Sequence, residues 1–104
     1  EPIYSFWAKG SRITKMEYDT PIDLFCSIPA DHISNVKEAI LVLAVYAEGR
    51  LEQVTVETCR DMERQQPVVF HATTVVPKEK EPGRIKAFLW NERLRPLTVS
   101  AVLK

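Results

Sequence analysis

Glycine and histidine are both scarce in this sequence of 104 residues. The three glycines, Gly10, Gly49 and Gly83, stand one to a turn, which excludes a glycine-rich loop of the kind that cradles phosphate. The two histidines, His32 and His71, fall on a loop and a strand respectively, and we interpret them as unrelated residues rather than an acid–base pair. Because no nucleophile, base and orienting group occur together, the sequence predicts that the chain is not an enzyme.

Cysteine is limited to Cys26 and Cys59, whose separation matches no paired metal-ligand spacing and argues against a zinc site. In antibody-type domains the two bonded cysteines bracket a core tryptophan, but Trp7 and Trp90 both lie outside this interval. We therefore predict that both cysteines are free thiols. Alternation along the strand points Cys26 inward, where a thiol stays protonated and inert.

The acidic residues form no ligand series. Asp19 and Asp23 flank one predicted strand start, and Asp31 and Glu38 flank the next loop, without an Asp-x-Asp-x-Asp pattern for calcium. The same carboxylates could form a glycosidase-like pair, but ordinary surface charge explains them as well. The sequence predicts no metal site and no cofactor.

An excess of charge of one sign is also missing, because 14 basic and 14 acidic residues cancel. A chain without net charge has no long-range field to attract nucleic acid or anionic lipid, so we predict no nucleic-acid partner. The longest apolar run, Ala39 to Ala47, is far shorter than the roughly 18 residues of a membrane span, so we predict no membrane insertion. The chain begins at Glu1 without a leader, and we expect it to be a mature or excised part of a longer protein.

Strand patterns recur at intervals of about ten residues with turn residues between them, as in a sandwich or barrel. Ile22, Leu24, Cys26 and Ile28 alternate with residues of mixed character, which indicates a strand with one face on a core. Further strands are predicted over residues 39–46, 51–59, 68–76, 85–90 and 97–103. The sequence thus predicts an all-β fold, an immunoglobulin-like antiparallel β-sandwich of about seven strands.

Residues 39–46 are apolar on both faces, as in a central strand, and a glycine-containing turn follows them. The return strand over residues 51–59 carries Val54 and Val56 between polar residues, which is typical of an edge or near-edge strand. The alternative is a helix over residues 34–47 with Ser34 as its cap. Residues 1–10 are either a linker or part of one broken edge strand, and residues 1–104 are predicted to form a single domain.

Two segments carry a resemblance to a known family. Residues 83–91 (GRIKAFLWN), followed by Leu94, Arg95, Pro96 and Leu97, are similar to a "vKaFlWd…mkPL" pattern, and residues 39–52 (AILVLAVYAEGRLE) resemble a "lAlYdnGrLv" hairpin. Both patterns are typical of the immunoglobulin-like or fibronectin-III-like accessory modules of secreted and surface proteins of Gram-positive bacteria. Asn91 stands where that family usually has an acidic residue, and Ala47-Glu48 replaces its aspartate-led turn.

The resemblance implies a non-catalytic structural or accessory role in a larger extracellular or cell-surface protein, with the neighbouring domains of the parent chain as partners. Two alternatives stay open. The first is a carbohydrate-binding module that stacks sugars on exposed aromatic residues, for which Tyr4, Trp7, Tyr18 and Trp90 are the candidates and Trp7 should form a coplanar strip with Tyr4 or Tyr18. The second is a protein-interaction module that adds a partner strand to the edge over residues 51–59.

Overall fold

The computed structural model describes residues 3–29, 36–60 and 68–104, and in these residues the chain forms eight β-strands and one short 3-10 turn, Lys78–Lys80. The strands are β1 (Tyr4–Ala8), β2 (Ser11–Ile13), β3 (Pro21–Ile28), β4 (Ala39–Ala47), β5 (Arg50–Cys59), β6 (Val68–Val75), β7 (Gly83–Asn91) and β8 (Ala101–Leu103). The predicted all-β class is confirmed, and the eight strands of the described residues agree with the prediction of about seven.

The strands form two four-stranded antiparallel sheets that pack face to face. Sheet 1 has the strand order β2-β1-β3-β6, and sheet 2 has the order β5-β4-β7-β8. The chain changes sheet between β3 and β4, between β5 and β6, and again between β6 and β7. Because the chain crosses between the sheets three times, strands that are distant in sequence become neighbours, and the result is the predicted antiparallel sandwich.

The core lies between the sheets and is built by period-two alternation. On β3, Ile22, Leu24, Cys26 and Ile28 are completely buried, while the residues between them lie on the outer face. Their counterparts on β7 are Ile85, Ala87 and Leu89. Each large aliphatic side chain buried in this way contributes about 1.5–3 kcal/mol, so the alternation of a few strands determines which faces meet.

Strand β4 occupies the centre of sheet 2, between β5 and β7. Its run of valine, isoleucine and leucine residues suits an extended strand that is covered on both faces, because β-branched side chains pack well on a pleated surface. The alternative of a helix is therefore wrong for Ala39–Ala47, and its proposed cap, Ser34, lies outside the described residues.

Two hairpins turn through two-residue loops. Glu48 and Gly49 connect β4 to β5 with φ values of 55° and 74°, and Lys9 and Gly10 connect β1 to β2 with φ values of 53° and 78°. Two successive residues with positive φ are the requirement of a type I′ turn, whose twist matches that of the flanking strands. The N-terminal segment is thus a hairpin rather than the predicted broken edge strand, and β1 lies inside sheet 1 with β2 at the edge.

The last strand is shorter than predicted. Residues 97–103 alternate in sequence, but only Ala101–Leu103 forms a strand, and the Val99 side chain is 84% exposed. The backbone of Leu97 instead donates to the carbonyl of Leu89, and Trp90 forms an isolated bridge with Pro96. Three steps along β7, from Trp90 to Ala87, correspond to five steps along the last segment, from Pro96 to Ala101, so the register shifts between the bridge and β8 and the ladder is interrupted there.

Candidate functional site

Tyr4 faces the interior rather than solvent. It shares a face of β1 with the buried residues Phe6 and Ala8, it packs against the core, and its cross-strand neighbour is Cys26. Its hydroxyl is buried without a hydrogen-bond partner, and burial, followed by the nearby Cys26 thiol, raises the pKa of Tyr4 well above its usual value. A sugar cannot stack on this ring from outside the sandwich.

Trp7 lies on the opposite face of β1, on the outer surface of sheet 1. Its neighbours across the strands are Arg12 on β2 and Asp23 on β3, and its indole Nε1 donates to Ser5 Oγ at 2.9 Å. Because Tyr4 and Trp7 point to opposite sides of one strand, the predicted coplanar strip of these two residues does not form.

Tyr18 ties the segment before β3 to the first residue of β7. Its hydroxyl accepts a hydrogen bond from the backbone N–H of Gly83 at 2.8 Å, and Lys78 Nζ lies 5.3 Å from the centre of its ring. The ring also packs against the core. Tyr18 therefore lies at the end of the sandwich, near sheet 2, and does not share a surface with Trp7.

Trp90 lies on the outer face of sheet 2 and is half-buried. Its ring stacks on Phe88 with centroids 5.5 Å apart and an interplanar angle of 29°. The next residue, Asn91, organises the following turn, because its Oδ1 accepts from the backbone N–H groups of Arg93 and Arg95 at 2.8 and 3.1 Å. The four predicted aromatic candidates are thus distributed over separate surfaces, with only one of them, Trp7, on the outside of sheet 1.

The outer face of sheet 1 gathers residues that sequence analysis did not combine. Phe25 on β3 is directly opposite His71 on β6, and their rings stack with centroids 4.6 Å apart and an interplanar angle of 13°. His71 Nε2 lies 2.8 Å from Asp23 Oδ1, a hydrogen-bond distance. Because β3 and β6 are separated in sequence by two strands of the other sheet, only the register of this pair brings His71 to Asp23. His32 lies outside the described residues.

The outer face of sheet 2 is unusually apolar. Val54 and Val56 on β5 are about half exposed, and Phe88 and Trp90 lie on the same face on β7, with β4 between the two strands. Cross-strand registers place further apolar residues on this same face, namely Ile40, Val42, Ala44, Tyr46, Leu51 and Val102. We call this set the sheet 2 outer surface. Val42 and Ala44 are buried although they lie outside the core cluster, which shows how densely their neighbours cover them.

Strand β5 forms one margin of that surface and is the edge of sheet 2, as predicted. It is 10 residues long, whereas the edge strands β2 and β8 are 3 residues each. The edge strand of sheet 1 on the same side, β6, is contacted by Gln53, whose Nε2 donates to the carbonyl of Val75 at 3.4 Å. Within the described residues, β5 is thus the longest edge strand, followed by β6 with 8 residues, and an exposed edge of this kind can pair with a partner strand.

The remaining chemistry of the described residues is limited. Cys26 is a buried free cysteine, as predicted, and burial raises the pKa of its thiol to about 12, so the reactive thiolate does not form near neutral pH. No group of three or more His, Cys, Asp or Glu side chains that could hold a metal ion occurs in residues 3–29, 36–60 and 68–104. In the same part of the chain, none of the helical structure has the length and hydropathy to cross a membrane.

Comparison with known proteins adds no relative. No protein-family model matches the chain, and no curated protein matches it. The structural observations on the two outer surfaces and on the β5 edge therefore carry the functional argument.

Proposed function

We propose that this chain is a non-catalytic accessory module of a larger secreted or cell-surface bacterial protein, and that it acts by contacting another protein surface through β5 and the sheet 2 outer surface. The neighbouring domains of the parent chain are the partners that the proposal favours. The observation that carries it is the apolar outer face of sheet 2.

The strand order supports the family resemblance on which the first half of the proposal depends. In immunoglobulin-type sandwiches strands A, B and E share one sheet, and strands C, F and G share the other. Here β1, β3 and β6 lie together in sheet 1, while β4, β7 and β8 lie together in sheet 2. Strand β5 lies beside β4, in the place of the additional strand of variable-type domains.

The residues that carry the resemblance also have structural contacts. Trp90 bridges to Pro96, Asn91 caps the turn between β7 and β8, and the Leu97 side chain packs against the core. An amide oxygen at Asn91 accepts the same backbone N–H groups that an acidic residue would accept, so the departure from the family pattern leaves this turn intact. The residues of this sequence pattern hold the turn between β7 and β8 together, which is expected if the pattern is a structural signature of such modules.

The second half of the proposal depends on the exposure of apolar side chains. An antiparallel sheet with one face in solvent usually alternates apolar residues inward with polar residues outward. On β5 the side chains of Leu51, Val54 and Val56 are 55%, 50% and 54% exposed. Contiguous apolar surface of this kind, beside a long unprotected edge strand, is typical of protein contact sites.

Hydrogen exchange tests this proposal when the isolated 104-residue domain is compared with the parent protein. We expect the amides of Arg50–Cys59 to exchange more slowly in the parent, because a docked surface protects the edge strand. Substitution Val56→Lys in the parent should return the exchange of β5 to the rate in the isolated domain, since a charge in an apolar contact is costly.

The matched control is Val69→Lys, because Val69 is 57% exposed but lies on β6, on the outer face of sheet 1. This substitution should leave the exchange of β5 unchanged in the parent. Equal exchange of β5 in the isolated domain and in the parent would contradict the proposal, as would equal effects of the two substitutions.

A second candidate function is carbohydrate binding, which the outer face of sheet 1 favours. Trp7, Phe25 and His71 lie there, with the Asp23 carboxylate between them as a hydrogen-bond acceptor for sugar hydroxyls. Affinity electrophoresis in polysaccharide gels tests it. Retardation should disappear in Trp7→Ala and persist in Phe88→Ala, whose ring lies on sheet 2, and retardation that survives Trp7→Ala would exclude this site.

A further inference from the structure

A cleft of about 480 Å³ opens at one end of the sandwich, next to the sheet 2 outer surface. Its walls come from the β4–β5 turn, from the segment before β7 and from the first residues of β7. The lining side chains that matter for its chemistry are Tyr18, Tyr46, Arg84, Lys86 and Lys104. The volume lies in the range of ligand sites in proteins, roughly 300–1,000 Å³, and exceeds what a lone inorganic ion needs.

Three cations face this cleft without an anionic partner among the described residues. Arg84, Lys86 and Lys104 take part in none of the ion pairs of residues 3–29, 36–60 and 68–104. Lys86 is half-buried, and its Nζ is held 4.9 Å from the centre of the Tyr46 ring. A cation that is held in place before a ligand arrives loses little freedom on binding, which favours affinity.

Three carboxylates belong to residues of the cleft, namely the side chains of Glu48 and Glu81 and, in the 104-residue chain, the terminal carboxylate of Lys104. Glu81 forms an ion pair with Lys78, so its charge is already compensated. Glu48 is exposed to solvent, which screens its charge, and the same screening acts on the exposed residues Arg84 and Lys104. Lys86 is half-buried and is therefore the least screened of these charges. The balance of the cleft therefore favours a negatively charged ligand.

The cleft also offers apolar surface to the body of such a ligand. The Tyr18 hydroxyl is fixed by the backbone N–H of Gly83, so its ring has a defined orientation at the wall. Tyr46 and Pro82 add ring surface beside it. Flat rings of this kind contact the C–H faces of sugars, and the cations nearby complement an oxyanion.

From these observations we infer that the cleft is a binding site for an anionic sugar, one that carries a carboxylate or a phosphate group. Arg84 and Lys86 bind the oxyanion, and Tyr18 and Tyr46 contact the sugar ring. This site shares Tyr46 with the sheet 2 outer surface, and the isolated 104-residue chain tests the site in the absence of the proposed protein contact.

Titration calorimetry of the 104-residue chain with glucuronate, glucose 6-phosphate, glucose and inorganic phosphate tests the inference. We expect one or both anionic sugars to bind at least about tenfold more tightly than glucose, since a hydrogen bond to a charged group contributes more than a neutral one. The comparison of glucuronate with glucose 6-phosphate distinguishes a carboxylate from a phosphate ligand. Inorganic phosphate as tight as the anionic sugars would overturn the assignment of a sugar.

The variants Arg84→Gln and Lys86→Gln remove charge while keeping most of each side chain, and each should weaken binding of the anionic sugar about tenfold or more. Arg60→Gln is the matched control, because Arg60 is exposed and follows Cys59, which pairs with Ala39 at the end of β4 opposite the β4–β5 turn. Circular dichroism of each variant establishes that it is folded. Unchanged affinity in both cleft variants, or equal losses in the control, would refute the site.

Discussion

The hydrogen bond between Tyr18 and Gly83 allows a sharp test of how the end of the sandwich is held. The substitution Tyr18→Phe removes the hydroxyl that accepts the Gly83 N–H at 2.8 Å and changes little else. Gly83 is buried but lines the cleft at this end of the sandwich, so we expect a cost at the lower end of the range for a buried donor. A buried donor left without a partner costs about 1–3 kcal/mol.

That cost can be measured by thermal and urea unfolding. In a domain of this size each kcal/mol lowers the Tm by about 4–8 °C, so we expect Tyr18→Phe to lower it by at least about 4 °C. The matched control is Tyr46→Phe, because the Tyr46 hydroxyl makes no hydrogen bond to a described residue and its ring keeps the contact with Lys86. If the two variants unfold within about 0.3 kcal/mol of each other, the reasoning about the Gly83 N–H is wrong.

Two further expectations follow from burial. Burial raises the pKa of Cys26 from 9.0 to about 12, because the folded state favours the neutral thiol. The contribution of this neutral thiol to the stability of the fold is complete below pH 9 and is lost as pH rises toward 12. Urea unfolding at pH 10 should show a loss of about 1.4 kcal/mol relative to pH 8 that is absent in Cys26→Ala, and identical pH profiles would contradict it. In the last segment, Leu103 is 2% exposed and Val99 is 84% exposed. Leu103→Ala should therefore lower the free energy of unfolding by about 2–5 kcal/mol, whereas Val99→Ala should change it by no more than about 0.5 kcal/mol. Comparable losses of stability for the two variants in urea unfolding would contradict the short β8.

The central strands were predictable because burial imposes a period of two on their side chains. The alternation from Ile22 to Ile28 and the apolar run of β4 both correspond to strands with the expected faces buried. The edge position of β5 was equally visible, because a strand covered on one side only carries polar residues among its valines. In each case a local pattern reflects a local environment, so no knowledge of distant residues was needed.

The errors arose where a local pattern was opposed by the geometry of its neighbours. Residues 97–103 alternate, but the register with β7 shifts between the Trp90–Pro96 bridge and β8, so only Ala101–Leu103 forms a regular strand. Tyr4 and Trp7 are a different case, because residues three apart on one strand always lie on opposite faces, so the alternation of β1 alone excludes a strip of these two. The Lys9-Gly10 turn was missed because lysine is not a usual residue at positive φ.

The candidate surfaces depend on registers between strands that are far apart in the chain. His71 meets Asp23 and Phe25 only because β6 returns beside β3, and Arg84 and Lys86 share a cleft with Tyr18 only because β7 begins where the segment before β3 ends. Amino-acid order alone was sufficient for the strand content, the inward faces and the edge character of β5, since each reflects alternation within one segment. The pairing of the sheets, and with it every combination of side chains at a surface, required long-range packing, because many strand orders bury the same apolar faces equally well.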